Sequence, residues 1–250
     1  MSKQVAAQFD ELAGLYEDMA SWPFRRDIET PSVIAALGDL HGLDVLDFGC
    51  GSGLYSRLLK RSGARSVVGY DLADGMLGYA RRRAEKEGLD IEFVSELQPR
   101  FAGRFDVVLS VYVLPYATSA RELGEMCGAL AGLLRPGGRL VALPIHPDYQ
   151  PDPDYYQAYG FRLIPDDDNG RPPRTDGARI RLELCHGRYQ ASVHAWYWSR
   201  ATLEAALREA GMTDLVWRDP STASDPSAAA PLLRAYLDRP HAALILARKA

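Results

Sequence analysis

The stretch Val45-Leu-Asp-Phe-Gly-Cys-Gly-Ser-Gly53 constrains this chain more than any other part of it. The residues from Asp44 to Phe48 are mainly apolar and read as a short buried strand. Glycine then occupies three alternate positions, and a run with Leu54, Leu58 and Leu59 follows at helical spacing. Residues without Cβ let a strand turn sharply into a helix and let the backbone approach a ligand closely. In a parallel α/β sheet such a turn lies beyond the carboxyl end of a strand, where ligands bind, and the helix start offers unpaired N–H groups. Two nucleotide loops are excluded by spacing. The pattern G-x-G-x-x-G requires glycine at 54 or 56, where the chain has Leu54 and Ser56, and no Gly-Lys-Ser/Thr follows to make a phosphate loop.

The rest of the chain repeats the alternation. Ser66 to Tyr70, Ile91 to Val94, Phe105 to Tyr112 and Arg139 to Leu143 read as strands. Asp74 to Glu87 and Ser119 to Leu134 read as helices, the latter stopped by Pro136-Gly137-Gly138. Apolar strands separated by helices predict a mostly parallel sheet covered on both faces. With final strands at 214–218 and 242–248, the expected fold is a Rossmann-like α/β sheet of seven strands. Ahead of it, residues 3–20 form an amphipathic pattern with Val5, Phe9, Leu12 and Tyr16, broken at Pro23, and Thr30 to Leu37 is a second helix with Pro31 in its first turn. Behind strand five, residues 146–178 are rich in Pro, Asp, Tyr and Gly and read as irregular. Ile180 to Leu184 and Tyr189 to Trp198 predict a β-hairpin turning at His186-Gly187. A helix capped by Ser199 runs to Glu209, a Ser/Ala/Pro loop spans 220–230, and a short helix follows through Leu237.

A chain of 250 residues is long enough to bury a full core, and its 47% hydrophobic and 25% charged residues are ordinary for a globular domain. The net charge of -4 excludes nothing by itself, but no basic face is clustered for nucleic acid; Arg81-Arg82-Arg83 falls in a helix and reads as its solvated side. Cys50, Cys127 and Cys185 lack metal-ligand or CxxC spacing, and no His, Asp and Glu set has it either, so no metal is expected. The sparse, odd cysteine count suits a reducing cytoplasm. The N-terminal residues lack a signal-peptide core, and no apolar stretch nears the ~18 residues of a membrane span. Asp71 ends the second strand, where a carboxylate can accept the hydroxyl protons of a ribose.

Taken in order, VLDFGCGSG, VVGYDLADGML, FDVVLSVYVL and LLRPGGRLV resemble the motifs of the class I S-adenosylmethionine-dependent methyltransferases, over roughly residues 9 to 143. That resemblance implies S-adenosyl-L-methionine as cofactor. It places Gly49, Cys50, Gly51 and Gly53 along the methionine part, Asp71 on the ribose, Asp47 beneath the loop, and Leu72 and Met76 about the adenine. Relatives often carry an Asp after strand three; here Glu96 is the substitute. Ser110 and Val111 end strand four, where backbone carbonyls in relatives reach the cofactor's amino group; Tyr16 closes from the N-terminal helix, and Arg25, with Arg26 as its alternative, pairs the cofactor carboxylate in a fork. The expected layout is one domain, with a helical lid over 1–40, a cofactor core over 41–143, a substrate-side insertion with the hairpin over 144–198, and closing elements over 199–250.

Shorter matches, Phe9 to Tyr16, Phe24-Arg-Arg26 and Arg239-Pro-His241, resemble natural-product N-methyltransferases such as the toxoflavin (azapteridine) enzymes. They imply N-methylation of a small aromatic or heterocyclic molecule. The alternatives are O-methylation of a phenol or carboxylate, a non-methylating reaction on the same fold, and a cofactor-binding module without catalysis. The regions that build the acceptor pocket also hold Tyr149, Tyr155, Tyr156, Tyr159 and Trp198, part of which is expected to fill the core. Trp22, Tyr112, Tyr116 and Trp196 are the expected acceptor contacts. A hydroxyl acceptor would benefit from a base, and His146 and His194 are the candidates because imidazole titrates near neutrality. No nucleic acid, membrane or protein partner is expected beyond a monomer or homodimer.

Overall fold

Strand β1 (Asp44–Phe48) runs through the middle of a seven-stranded sheet, and the reason is its composition: every residue after Asp44 is buried. The structure, a computed structural model, describes residues 7–9, 11–166, 170–187, 189–222 and 230–250. β1 pairs in parallel with β2 (Ser66–Tyr70) on one side and β4 (Phe105–Val111) on the other. Adding β3 (Glu92–Val94), β5 (Leu134–Leu143), β9 (Met212–Arg218) and β10 (Leu244–Lys249) gives the order β3-β2-β1-β4-β5-β10-β9, with β10 antiparallel to both of its neighbours. The chain runs outward from β1 to β3, then returns past β1 to start β4. The crevice at the carboxyl ends of β1 and β4 is therefore a topological switch point, the place where such sheets bind ligands. The glycine turn leaves β1 there.

Helices cover both faces: α1 (Ala13–Met19), α2 (Thr30–Leu37), α3 (Leu54–Arg61), α4 (Asp74–Lys86), α5 (Ala120–Leu133), α6 (Arg200–Glu209) and α7 (Pro231–Asp238). Side chains alternate across a strand. Val107 and Leu109 of β4 accordingly pack with Val33, Leu37 and Leu59, while Val108 packs with Leu123, Leu130 and Leu207 on the opposite face. Burial on both sides explains why β4 is a nearly unbroken apolar run. Ser119 and Ser199 cap α5 and α6, accepting from the backbone N–H of Glu122 and Thr202.

The expected hairpin forms, β7 (Arg179–His186) with β8 (Tyr189–Trp196), but it is two strands of a three-stranded sheet. Strand β6 (Phe161–Pro165), inside the stretch read as irregular, pairs antiparallel with β7. A five-residue strand framed by Pro, Asp and Gly has no local signal strong enough to declare it; the edge of β7 and the burial of Phe161 and Leu163 define it. β5 also starts earlier than read, at Leu134, through Pro136-Gly137-Gly138, with a register irregularity opposite Phe105–Val107.

The N-terminal helix is shorter than the pattern predicts. A 3₁₀ turn over Ala7–Phe9 precedes α1, and the Phe9 ring meets Tyr16 at 5.9 Å and Tyr116 at 5.0 Å. Val5 lies outside the described residues, as does most of the 220–230 loop. A π-helical turn, Arg25–Glu29, leads into α2. Among the described residues, no helix is long and apolar enough to cross a membrane.

Candidate active site

The three loop glycines all have left-handed backbone, with φ of 76° at Gly49, 52° at Gly51 and 75° at Gly53, but for different reasons. A Cβ on Gly49 would meet Val113 Cγ2 at 2.3 Å, and one on Gly53 would meet Ala80 Cβ at 2.8 Å. Those two positions are glycine because protein packs against them. A Cβ on Gly51 would find no atom nearer than Met76 Sδ at 4.0 Å, so it would enter empty space. That space is a cleft of ≈ 750 Å³, part of it open to solvent, and Gly51 is on its wall. The loop is tied down on its other side: Gly49 N and Cys50 N donate to Tyr70 O at 2.7 and 2.9 Å. The Asp71 carboxylate accepts from Gly51 N at 2.8 Å and from Ala73 N at 2.9 Å. Beneath the loop, Ser56 Oγ of α3 donates to Asp47 Oδ2 at 2.6 Å, and burial, with the charge of Asp71, raises the Asp47 carboxyl to about 7.

A second cavity of ≈ 550 Å³ adjoins the first; Tyr16, Arg25, Tyr112 and Tyr116 line both. Its remaining wall is almost wholly apolar, drawn from α1, the β6-β7-β8 sheet, Phe24 and Ile145. A buried polar network stands at the common wall. Arg25 Nε donates to Glu29 Oε1 at 2.9 Å, Tyr55 donates to the same oxygen at 3.2 Å, and the Tyr112 hydroxyl donates to Glu29 Oε2. His241 Nε2 lies 3.0 Å from the Tyr112 oxygen, and its Nδ1 lies 2.7 Å from the Tyr236 hydroxyl. Burial opposes the charge on Arg25, yet Glu29 and the Tyr112, Tyr55 and Tyr16 hydroxyls leave its pKa above the ordinary value. Burial lifts the Tyr112 hydroxyl well above its usual value, and lifts Tyr16 to about 12. Burial, then Arg25 and His146, depress His241 to about 3, so its ring is neutral. Tyr112 itself holds φ at 55°, a left-handed backbone on a bulky residue at the end of β4. Such outliers persist where the surroundings enforce them, often at sites of function.

Of the residues singled out in the sequence, Tyr16, Arg25, Asp47, Gly49, Cys50, Gly51, Asp71 and Met76 line the first cavity. Gly53, Leu72, Glu96 and Ser110 do not. Gly53 packs on Ala80, Glu96 is exposed and Ser110 is buried, whereas Val111, expected beside Ser110 at the end of strand four, lines the cleft. Tyr112 and Tyr116 line both cavities, but Trp22 is buried beside Phe24, and Trp196 lines a small separate cavity with Pro144 and Trp198. Tyr155, Tyr156 and Tyr159 are structural, their hydroxyls donating to the carbonyls of Ala235, Arg239 and Leu232 on and beside α7.

Neither His146 nor His194 lines either cavity. His146 Nε2 lies 3.1 Å from Asp219, and His194 is a half-exposed partner of Asp166, because alternation along β8 turns Ala195 inward and His194 outward. The imidazole in the cavity is His241. It, Glu29 and Tyr55 were missed as site residues; the Pro-His step at 240–241 was the one visible signal. Among the described residues, no group of three or more His, Cys, Asp or Glu could hold a metal.

Residues 45–138 match a family described as "Methyltransferase domain". A ubiquinone biosynthesis O-methyltransferase of Methylocella silvestris is 40% identical over 110 residues, 43% of this chain and 41% of that protein, so the chain spans less than half the length of that relative. An S-adenosylmethionine dependent methyltransferase from Mesorhizobium loti superposes with a TM-score of 0.63 at 23% identity, covering 92% of this chain and all of that one. The [4+2]-cyclase SpnF superposes with a TM-score of 0.62 at 18% identity, over 100% of this chain and 96% of its own. The fold is thus shared with a protein named for another reaction, a [4+2] cyclisation.

Proposed function

The chain carries a methyltransferase domain over residues 45–138 in the fold of the class I S-adenosylmethionine-dependent methyltransferase superfamily, and from that premise we propose that it methylates a small, largely apolar molecule. The carrying observation is the cradle at Gly51: a backbone open to the cleft where a Cβ would intrude, braced by the Asp71 carboxylate. These residues fit an adenosyl sulfonium ligand. Gly49, Cys50 and Gly51 would pass along its amino-acid part, Asp71 would accept from the ribose, Met76 would lie against the base, and Arg25 would face its carboxylate. When bound, the sulfonium supplies an electrophilic methyl group. The protein's own task is then to align the acceptor with it, which can supply a large share of the barrier reduction. Phe9, Tyr16 and Tyr116 line the cleft beside the loop, where they would shield part of a bound ligand from water.

The acceptor belongs in the second cavity, whose apolar wall suits a small uncharged aromatic or aliphatic body. The short resemblance to N-methyltransferases favours a nitrogen acceptor, whereas the similarity to the O-methyltransferase of Methylocella silvestris supports an oxygen. The superposition on SpnF keeps a non-methylating reaction as the second reading. The test is calorimetry with S-adenosylhomocysteine, then mass spectrometry of acceptors incubated with methyl-labelled cofactor. Binding and label transfer to a small molecule are expected. Absence of binding overturns the cofactor assignment; binding with turnover of an acceptor that gains no label establishes the second reading.

A further inference from the structure

The polar groups of the second cavity gather at one end. Tyr16, Arg25, Tyr112, Tyr116 and His241 are its hydrogen-bonding residues, and all but His241 also line the first cavity. Apart from His241, an acceptor seated there would meet polar side chains only on the wall shared with the first cavity. The direction of each bond follows from counting donors. The Tyr112 hydroxyl has one proton, and Glu29 Oε2 takes it. His241 Nε2, 3.0 Å from the same oxygen, must therefore carry the ring proton and donate it. Nδ1 is then an acceptor, filled by the Tyr236 hydroxyl at 2.7 Å. The neutral ring, caged by Phe24, Tyr156 and Phe161, keeps this tautomer. The Tyr112 oxygen is left with acceptor capacity and no proton to give. At the Tyr112 oxygen a ligand group that can only accept, such as an unprotonated ring nitrogen, would face lone pair against lone pair; a hydroxyl would donate.

We propose that the acceptor carries a hydroxyl, and that Tyr112 passes its proton to Glu29 while His241 holds the Tyr112 hydroxyl in the direction the transfer needs. This rests on the methyltransferase reading and narrows its substrate class. An oxygen lone pair of the acceptor forms the new O–CH3 bond as the C–S bond of the sulfonium breaks, its electron pair remaining on sulfur. The acceptor O–H bond breaks toward the Tyr112 oxygen while the Tyr112 proton bonds to Glu29. Tyr112 ends as it began, Glu29 ends as the neutral acid, and the positive charge lost at sulfur matches the negative charge lost at Glu29. Tyr112 is the catalytic residue in this scheme; Glu29 and His241 act through it. The groups facing Glu29 are Arg25, Tyr55 and Tyr112, with His241 and Tyr236 behind them.

The test uses 2-naphthol and isoquinoline, an apolar hydroxyl and an apolar ring nitrogen of similar size, on protein loaded with S-adenosylhomocysteine. One hydrogen bond made only by the hydroxyl should favour 2-naphthol about tenfold, and Tyr112→Phe should bring the two within about twofold. With methyl-labelled cofactor the wild type should methylate 2-naphthol. Glu29→Gln should lower kcat about 100-fold with little change in KM. Its residual kcat should climb as pH ionises free 2-naphthol, a profile that altered packing alone would not create. Affinity for S-adenosylhomocysteine checks that each variant is folded; should Glu29→Gln not fold, Tyr112→Phe carries the same kcat and pH measurements. Equal binding of the two probes, transfer to isoquinoline in preference to 2-naphthol, or wild-type kcat in Glu29→Gln overturns the relay. A wild-type protein that does not bind S-adenosylhomocysteine overturns the earlier assignment; one that binds it without favouring 2-naphthol overturns the relay alone.

Discussion

Replacing Gly51 and Gly49 by alanine, one at a time, separates a glycine kept for a ligand from a glycine kept for packing. Both sit at positive φ, so each alanine costs about 1–2 kcal/mol of backbone strain. At Gly51 that is the whole cost to the free protein, because the new methyl group has only Met76 Sδ at 4.0 Å beside it. In a chain of this length about 1–2 kcal/mol lowers the melting temperature by roughly 2–8 °C. At Gly49 the methyl carbon would lie 2.3 Å from Val113 Cγ2, and the overpacking adds about 1–3 kcal/mol, for about 2–5 kcal/mol in all. Ligand binding should order the two differently. The Gly51 methyl group would occupy space the ligand needs, and an overlap of about 1–3 kcal/mol weakens S-adenosylhomocysteine about fivefold to 150-fold. Differential scanning fluorimetry and titration calorimetry on both variants read the two quantities. A Gly51→Ala protein that melts slightly lower and binds far more weakly is the expected result. Wild-type affinity in that variant would refute the cradle, and a Gly51→Ala protein as unstable as Gly49→Ala would refute the packing argument.

Asp71→Ala should abolish detectable binding of S-adenosylhomocysteine by calorimetry. It should also destabilise the free protein by about 1–3 kcal/mol, since the buried Ala73 amide loses its acceptor; an unchanged melting temperature would show that the brace is dispensable. Asp47, raised to about 7 in the folded chain, binds its proton more tightly folded than unfolded. Its contribution to stability is therefore present below pH about 4 and is lost as pH rises to about 7. Asp47→Asn should gain on the wild type across that window in urea melts at several pH values, and a constant difference would show that Asp47 is not perturbed. The cleft is walled by Phe9 and Tyr16, and α1 is pinned by Glu17, which takes two bonds from the buried Arg57 and pairs with Arg83. Amide exchange over residues 13–19 should be fast in the free protein and slow with S-adenosylhomocysteine bound if α1 opens to admit ligand. Equal protection in both states would make it a fixed part of the core.

The parallel sheet, the order of its helices and the glycine cradle with Asp71 were legible in the residues. Their signals are local: an apolar run the length of a strand, a helical period, glycine where only glycine turns. The cradle's side chains are also adjacent in the chain or fixed at the ends of consecutive strands, so one register sets them all. Strand β6 was not legible, because its pairing with β7 rather than its own propensity makes it a strand. The acceptor side was legible only as a surplus of aromatics. Tyr112, Glu29 and His241 are 83 and 129 residues apart in the two contacts that join them. No period in the sequence encodes such distances. His146 and His194 looked equivalent to His241 as residues. Strand alternation turned His194 outward and a hydrogen-bond contact with Asp219 engaged His146, while burial among Phe24, Tyr156 and Phe161 put His241 against Tyr112. The sheet and the glycine loop follow from short-range pattern in the chain. Which tyrosine, carboxylate and imidazole meet in one buried network is set by packing, because burial and hydrogen-bond pairing between distant segments are properties of the folded chain.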